Sequence, residues 1–293
     1  MGYAATIGFF DGVHKGHRFL LGELHRVAAE EGLQSAVITF DEHPETVLGR
    51  NLKTSLQPST EEREDKPLLT TPEERAALLK ETGIDEIFLF RFDVIRQMTA
   101  AEFMAVLHER CGVEVLLMGY DHRFGSDRLT NIADYAALGQ SVGIAVVPVA
   151  EAPGGTVSSS KIRKALLAGD ITAANAMLGY AYTLSGTVVH GNGLGHTIGF
   201  PTANIQPAAC KLIPAAGVYA AEGALVNIGT NPTVGNDHVT IEAYFPDYHG
   251  ADLYGQTVSL RLLRRIREER KFASLDELKN QIQSDLESIK QTI

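Results

Sequence analysis

Apolar residues fall in short, nearly unbroken runs along the first half of the chain, at residues 6–10, 35–40, 86–90, 114–119 and 144–149. Rich in Val, Ile, Leu and Phe and with little alternation, they have the pattern of strands covered on both faces, as in a parallel sheet. The stretches between them are helical in period. The one after His17 turns Phe19, Leu20, Leu24, Val27 and Ala28 to one face and stops at Gly32. Thr71-Pro72-Glu73-Glu74 supplies a cap, a first-turn proline and a capping-box glutamate ahead of Ala76, Leu78 and Leu79. Thr99 with Glu102 repeats the device ahead of Phe103, Val106 and Leu107. Strand alternating with helix predicts an α/β doubly wound, Rossmann-like domain whose ligands lie beyond the carboxyl ends of the strands. Two short helices at 161–167 and 171–178, broken at Gly169-Asp170, are expected to finish this domain, which spans residues 1–180. Residues 51–66 are polar, charged and poor in apolar positions, the composition of a mobile loop or a lid.

Beyond Tyr180-Ala181-Tyr182 the period changes to short alternating strands, expected at 182–190, 217–221, 225–228, 240–245 and 257–263, with glycine-rich turns between them. That is the pattern of a small antiparallel β-barrel, which would occupy residues 181–293. A C-terminal helix follows Ser274, with Leu275, Leu278, Ile282, Leu286 and Ile289 as one apolar stripe to pack on the barrel.

A chain of 293 residues is long enough for two such cores. A formal net charge of −10 and a pI near 5.5 argue against nucleic acid or an anionic membrane as the main partner, while leaving room for local cationic sites. Cys111 and Cys210 sit in no metal-type spacing and are expected to be buried, reduced thiols. No apolar run approaches the roughly 18 residues of a membrane span, and Met1-Gly2-Tyr3 lacks the features of a signal peptide, so a cytoplasmic monomer or weak homo-oligomer is expected.

Candidate chemistry concentrates first in Gly8-Phe9-Phe10-Asp11-Gly12-Val13-His14-Lys15-Gly16-His17, a strand end, a glycine turn and a helix start. Gly12 and Gly16 permit close backbone approach, and His14 and His17 lie one helical turn apart where unpaired helix N–H groups attract anions. Taken alone, a His-x-x-His at a βα turn serves equally well as loop decoration. Ser158-Ser159-Ser160 opens a helix with Arg163 one turn in, an anion nest or an ordinary cap. In the second half, Gly191-Asn192-Gly193 begins a long glycine-rich segment, and Glu242 alternates with Ile241 and Ala243 in a strand, so that it faces a pocket or solvent while they face the core. The basic residues Arg264, Arg265, Arg267, Arg270 and Lys271, balanced by Glu268 and Glu269, read as a solvated face.

Taken together these stretches resemble the prokaryotic bifunctional riboflavin kinase/FAD synthetase (FMN adenylyltransferase) family. Asp11-Gly12-Val13-His14-Lys15-Gly16-His17 is similar to its His-x-Gly-His nucleotidyltransferase motif, and Ser158-Ser159-Ser160-Lys161-Ile162-Arg163 to its Ser-Ser-Thr/Ser-x-Ile-Arg. Gly199-Phe200-Pro201-Thr202-Ala203-Asn204 matches its kinase module, and the likeness runs over nearly the whole chain. The resemblance implies riboflavin phosphorylation to FMN in the barrel and adenylylation of FMN to FAD, with release of pyrophosphate, in the first domain. It implies Glu242 as the kinase base, and His14, His17 and Arg163 as the catalytic set of the adenylyltransferase. Gly8, Phe10, Asp11, Gly12, Gly16, Ser159 and Ser160 would bind ATP there, and Gly191, Gly193, Gly199 and Pro201 would bind it in the barrel. His43, Pro44, Asp121, Arg123 and Asn231 would line the flavin, and Thr202 with Asn204 would hold Mg²⁺. The partners so implied are ATP, riboflavin and FMN.

The chain departs from the family pattern at Phe9, where Asn is common, and at His122 in an otherwise matching Gly-Tyr-Asp-Phe-Arg-Phe-Gly. Other departures are His196 for Arg or Lys, Tyr244 for His, and a short hairpin between Tyr219 and Asn227. These leave two alternatives open: an adenylyltransferase with a catalytically weak flavin-binding barrel, and a flavin or nucleotide sensor without turnover.

Overall fold

The computed structural model describes residues 2–41, 67–119, 122–153, 155–191, 194–233 and 236–290, in two compact units, Met1–Ser158 and Ser159–Ile293. The first unit runs β1 (Tyr3–Ile7), α1 (Lys15–Glu31), β2 (Gln34–Phe40), α2 (Pro72–Glu81), β3 (Glu86–Phe90), α3 (Phe92–Ile95), α4 (Ala100–Cys111), β4 (Val113–Gly119), α5 (Ile132–Val142) and β5 (Ala145–Val149). Its strands form one parallel sheet in the order β3-β2-β1-β4-β5.

The absence of alternation in these strands has a direct cause. Ala4, Val37, Val115 and Leu117 pack on one face with Leu21, Leu24 and Val27 of α1 and Leu79 of α2. Their sequence neighbours Ala5, Ala36, Ile38, Leu116 and Met118 pack on the other with Phe103, Met104 and Leu107 of α4 and Tyr135 of α5. With both faces covered, the central strands β1, β2 and β4 are mostly apolar, with Thr6, Ser35 and Thr39 buried among the apolar residues. Both expected capping boxes form, Thr71 with Glu74 and Thr99 with Glu102. The strand order reverses between β1 and β4, so the loops after these two strands flank the crevice where such sheets bind ligands.

The first strand lies at Tyr3–Ile7, not at 6–10. Phe9 and Phe10 look like strand in the sequence but belong to a turn, in which Phe10 has φ 57° and Val13 φ 34°. Their apolarity serves packing: Phe10 and Val13 are buried with α1.

The second unit opens with α6 (Ser159–Leu167) and α7 (Ile171–Leu178), then β6 (Tyr182–Val189), α8 (Leu194–Thr197), β7 (Thr202–Pro207), β8 (Gly217–Ala221), β9 (Ala224–Thr233), β10 (Asn236–Tyr244), β11 (Thr257–Arg267) and α9 (Leu275–Lys290). The strands close into an antiparallel barrel, β10-β7-β6-β11-β8-β9. The two short helices pack with the barrel. The Asn175 side chain in α7 donates to the Leu262 carbonyl at 2.8 Å and accepts from the Tyr182 N–H at 2.8 Å. The Ala215 N–H donates to the Leu166 carbonyl at 3.1 Å.

β7 is a strand the sequence reading does not anticipate, although Ala203 and Ile205 do alternate with Thr202, Asn204 and Gln206. The short hairpin is a two-residue turn, with Ala221 paired to Ala224 and Gly223 at φ 68°, so the barrel closes without a longer loop. In α9, Leu286 and Ile289 are buried and Ile282 packs beside them, whereas Leu275 is exposed. Cys210 is exposed and Cys111 only half-buried, against the expectation that both are buried; Cys210 lies in the connection between β7 and β8.

Candidate active sites

In the first unit the site is built by the turn between β1 and α1. The backbone of this turn is left-handed at Phe10, Gly12 and Val13. For two residues with side chains this costs on the order of 1–3 kcal/mol each, offset by burial of both side chains. Asp11 holds the turn from one side. Its buried carboxylate accepts the Leu69 N–H at 3.1 Å and the Thr70 N–H at 3.0 Å, and the Thr70 hydroxyl in turn accepts the Gly12 N–H at 3.0 Å. On the other side the Arg75 guanidinium lies 4.0 Å over the Phe9 ring and donates to the Phe40 carbonyl at 2.8 Å. The residue that departs from the family at position 9 is thus packed against a buried arginine.

His14 caps α1: its Nδ1 accepts the His17 N–H at 3.3 Å. That bond puts the proton of the neutral ring on Nε2. The His14 and His17 rings stack with centroids 3.6 Å apart and 13° between planes, and Phe10 meets His17 edge-on at 5.1 Å. Burial lowers the His14 pKa to about 4, the Asp11 charge opposing it. Burial and the neighbouring His14 push His17 well below its usual value. Among the described residues His17 Nδ1 is buried without a hydrogen-bond partner. A Cβ on Gly16 would stand 3.3 Å from the His14 ring and 3.4 Å from the Val157 carbonyl, so only glycine leaves both in place without adjustment. The arrangement is two neutral imidazoles at a helix N-terminus, suited to donating hydrogen bonds to an anion.

The low pKa has a consequence for stability. Between the unfolded value of 6.5 and the folded value of about 4, the unfolded chain takes up a proton at His14 that the folded chain does not. Stability therefore falls as pH drops through that window, by about 2 kcal/mol at pH 5 from this residue alone, and His17 acts in the same direction. His14→Asn keeps a capping oxygen and removes the titration. Urea denaturation of the variant at pH 7 and pH 5 is expected to show a correspondingly smaller loss than wild type.

Arg123, after β4, is exposed and donates to the His122 carbonyl at 2.6 Å. His43, Pro44 and Asp121 lie outside the described residues, as does the 51–66 stretch. Ser159, Ser160 and the buried Arg163 belong to the second unit, at the start of α6.

In that unit a cavity of about 370 Å³ lies between the wall of the barrel and α9. Register brings its polar wall together. On β10, Glu242 pairs with Asn204 of β7 on one side and Asn227 of β9 on the other, and Tyr244 pairs with Thr202. Ile241 and Ala243 are buried, and Glu242 lines the cavity, as alternation predicts. The Thr202 hydroxyl is 3.5 Å from Glu242 Oε2, the outer limit of a hydrogen bond. Burial raises the Glu242 pKa, and the Thr202 hydroxyl pulls the other way. The glycine segment lies directly on this wall: a Cβ on Gly191 would fall 2.0–2.7 Å from the Asn204 amide, and one on Gly195 would fall 3.0 Å from the Thr202 hydroxyl. Gly199 has φ 86° and Pro201 is exposed. Gly193 and the side chain of Asn231 lie outside the described residues.

Sequence reading missed other residues that line this cavity. Arg267 and Glu269 line the cavity, and Arg264, Arg265 and Arg267 are half-buried, not a solvated face, because β11 runs on to Arg267 and carries them into the barrel. Arg267 Nη2 pairs at 2.9 Å with Asp285 of α9, whose other bonds include one from Gln281 at 2.7 Å, and Arg264 donates to the Ser288 carbonyl at 2.9 Å. Phe272 lies beneath Arg267 and Arg270. The available signal was a carboxylate, Asp285, set beside the apolar stripe of α9 and facing an unusually dense arginine run.

The riboflavin kinase family model matches residues 178–293 and the FAD synthetase family model residues 1–161. The curated bifunctional riboflavin kinase/FMN adenylyltransferase of Escherichia coli K12 is 36% identical, over 97% of this chain and 90% of its own length. That of Listeria monocytogenes is 33% identical over 96% of this chain and 89% of its own. The chain belongs to the bifunctional riboflavin kinase/FMN adenylyltransferase family. A solved structure of a macrolide-efflux protein from Streptococcus pneumoniae has the same fold, with a TM-score of 0.83 at 32% identity, covering 99% of this chain and 94% of that one. Among the described residues no helix is long and apolar enough to cross a membrane.

Within this family member the Arg267–Asp285 pair ties α9 to the barrel beside the cavity. Asp285→Ala strands a largely buried guanidinium and is expected to destabilise the second unit by about 3 kcal/mol, read as a lower urea midpoint. Asp285→Asn, which keeps hydrogen-bond acceptance, is expected to lose less.

Proposed function

We propose that the chain converts riboflavin to FMN in the barrel and FMN to FAD in the first unit, each with ATP. The observation that carries the reading is the convergence of Glu242, Thr202 and Asn204 on one cavity wall beneath the glycine segment. In the barrel, the Glu242 carboxylate takes the proton of the ribityl 5′-hydroxyl as that oxygen attacks the γ-phosphate, and ADP leaves. A carboxylate whose pKa is raised by burial is the better base at neutral pH. Gly191, Gly193, Gly199 and Pro201 bind the nucleotide, and Asn231 is assigned to the flavin. Thr202 and Asn204 offer a hydroxyl and an amide oxygen on one face of β7, hard donors that suit Mg²⁺, with phosphate oxygens and water completing its shell. Bound there, the cation would offset phosphate charge.

In the first unit a flavin phosphate oxygen attacks the α-phosphorus of ATP and pyrophosphate departs, so the protein supplies no nucleophile. Positioning and charge stabilisation carry such a transfer. His14 and His17 donate to the phosphates, and Arg163, Ser159 and Ser160 are assigned to the same transfer by the motif they form in the sequence. Gly8, Phe10, Gly12 and Gly16 shape the nucleotide turn that Asp11 holds in place. His43, Pro44, Asp121 and Arg123 are assigned to the flavin side. The partners are small molecules, in keeping with the acidic net charge, and the setting is a cytoplasmic monomer or weak homo-oligomer.

Incubation of the purified protein with riboflavin, ATP and Mg²⁺, followed by separation of flavins and nucleotides, tests the reading. FAD, ADP and pyrophosphate are expected without added FMN. Tight flavin binding with no product would favour a sensor, and FAD only from supplied FMN would favour a barrel that merely binds.

A further inference from the structure

The loop after β4 carries Arg123 on an exposed side chain, yet its main chain is held from beneath by a buried one. Tyr135, on α5, is fully buried. Its phenol oxygen accepts the Phe124 N–H at 3.0 Å and donates to the Phe124 carbonyl at 2.7 Å, with the Leu129 carbonyl 3.4 Å away. One side chain thus closes both polar main-chain groups of the residue next to Arg123. The Phe124 ring lies 4.8 Å from the Tyr135 ring and edge-on to Phe103 at 5.8 Å.

The far end of the loop is anchored as well. Asp127 Oδ1 accepts the Ala100 N–H at 3.0 Å, and the Ser126 N–H donates to the Met98 carbonyl at 2.8 Å. Gly125 has φ 94°, and a Cβ there would fall 2.6 Å from the Ala100 nitrogen. A phenylalanine at 135 would fill the same volume without bringing a hydroxyl into the core, where it is costly unless fully paired. The hydroxyl therefore serves the loop, not the packing. Because the Arg123 guanidinium folds back on the His122 carbonyl, the main-chain path at 122–124 sets where that charge stands. The loop lies at the reversal of strand order between β1 and β4, beside the histidine turn.

We propose that Tyr135 is a positioning residue of the adenylyltransferase, fixing the loop that presents Arg123 to the flavin mononucleotide substrate. The proposal rests on the assignment of that loop to the flavin side.

The test compares full-length Tyr135→Phe, Asp127→Ala and Arg123→Ala in the adenylylation of supplied FMN, with riboflavin phosphorylation and the melting temperature measured alongside. Tyr135→Phe and Asp127→Ala are each expected to raise the KM for FMN about tenfold, the size of one lost hydrogen bond of about 1.4 kcal/mol, with the KM for ATP and the kinase rate unchanged. If Arg123→Ala raises the KM for FMN and the other two do not, the positioning role is overturned and the flavin assignment stands. If none of the three changes it, the flavin assignment itself fails. A fall in kcat that leaves both KM values alone, or a rise in both together, marks a merely structural tyrosine and also overturns the proposal. Should Tyr135→Phe not fold, Asp127→Ala decides alone.

Discussion

Glu242→Gln is expected to slow FMN formation by at least about 100-fold, the lower end of what a positioned general base contributes, while FAD formation from supplied FMN proceeds at the wild-type rate. The substitution is nearly isosteric and preserves the strand pairs to Asn204 and Asn227, so the barrel keeps its register and only the proton acceptor is lost. The pH profile separates chemistry from binding. Because burial raises the Glu242 pKa, the wild-type kinase rate should fall as pH drops toward that value and the carboxylate protonates, whereas the residual rate of the glutamine variant should lack that limb. Two activities on one polypeptide supply the control. A parallel loss of both would mean damage to the protein as a whole, and an undiminished kinase rate would remove Glu242 from the reaction.

The parts of this protein that could be read in the sequence are those in which one local rule has no competitor. Thr71-Pro72-Glu73-Glu74 and Thr99 with Glu102 begin helices because capping depends on neighbours three residues away, and both form as expected. The central parallel strands were legible because burial on both faces leaves them mostly apolar. Phe9 and Phe10 failed for the same reason: apolarity reports burial, not conformation, and Phe10 is buried and Phe9 partly so in a turn with a left-handed residue. β7 was hidden by its own chemistry, since Thr202 and Asn204 look like turn residues until the barrel pairs them with Tyr244 and Glu242.

The longest-range features were the least legible. Nothing local joins Arg267 to Asp285, eighteen positions apart, or Asp11 to Thr70 across a separation of 59. Each is a charge whose burial is tolerable only with a partner supplied by another element. The motif residues His14 and His17 were readable as a pair, but the direction in which the proton sits on His14 follows only from the cap it makes to the His17 N–H.

That cap makes His14→Asn the sharpest test of the first unit. Adenylylation of supplied FMN is expected to fall about 100-fold or more in kcat/KM, the scale for removing one preorganised donor to developing charge, with riboflavin phosphorylation intact. Asparagine is among the best capping residues, so α1 should start where it does now and the loss should belong to the missing Nε2–H. Proton linkage gives a second readout. With a free-state pKa of about 4, His14 is neutral near pH 6. Triphosphate charge beside it favours the imidazolium and raises that pKa, so ATP binding to the first unit should take up protons at pH 5 to 6. Calorimetry in two buffers of different ionisation enthalpy measures the uptake, and the asparagine variant should show less of it. Wild-type adenylylation in that variant, or an uptake that the substitution leaves unchanged, would place the phosphates somewhere other than the histidine turn.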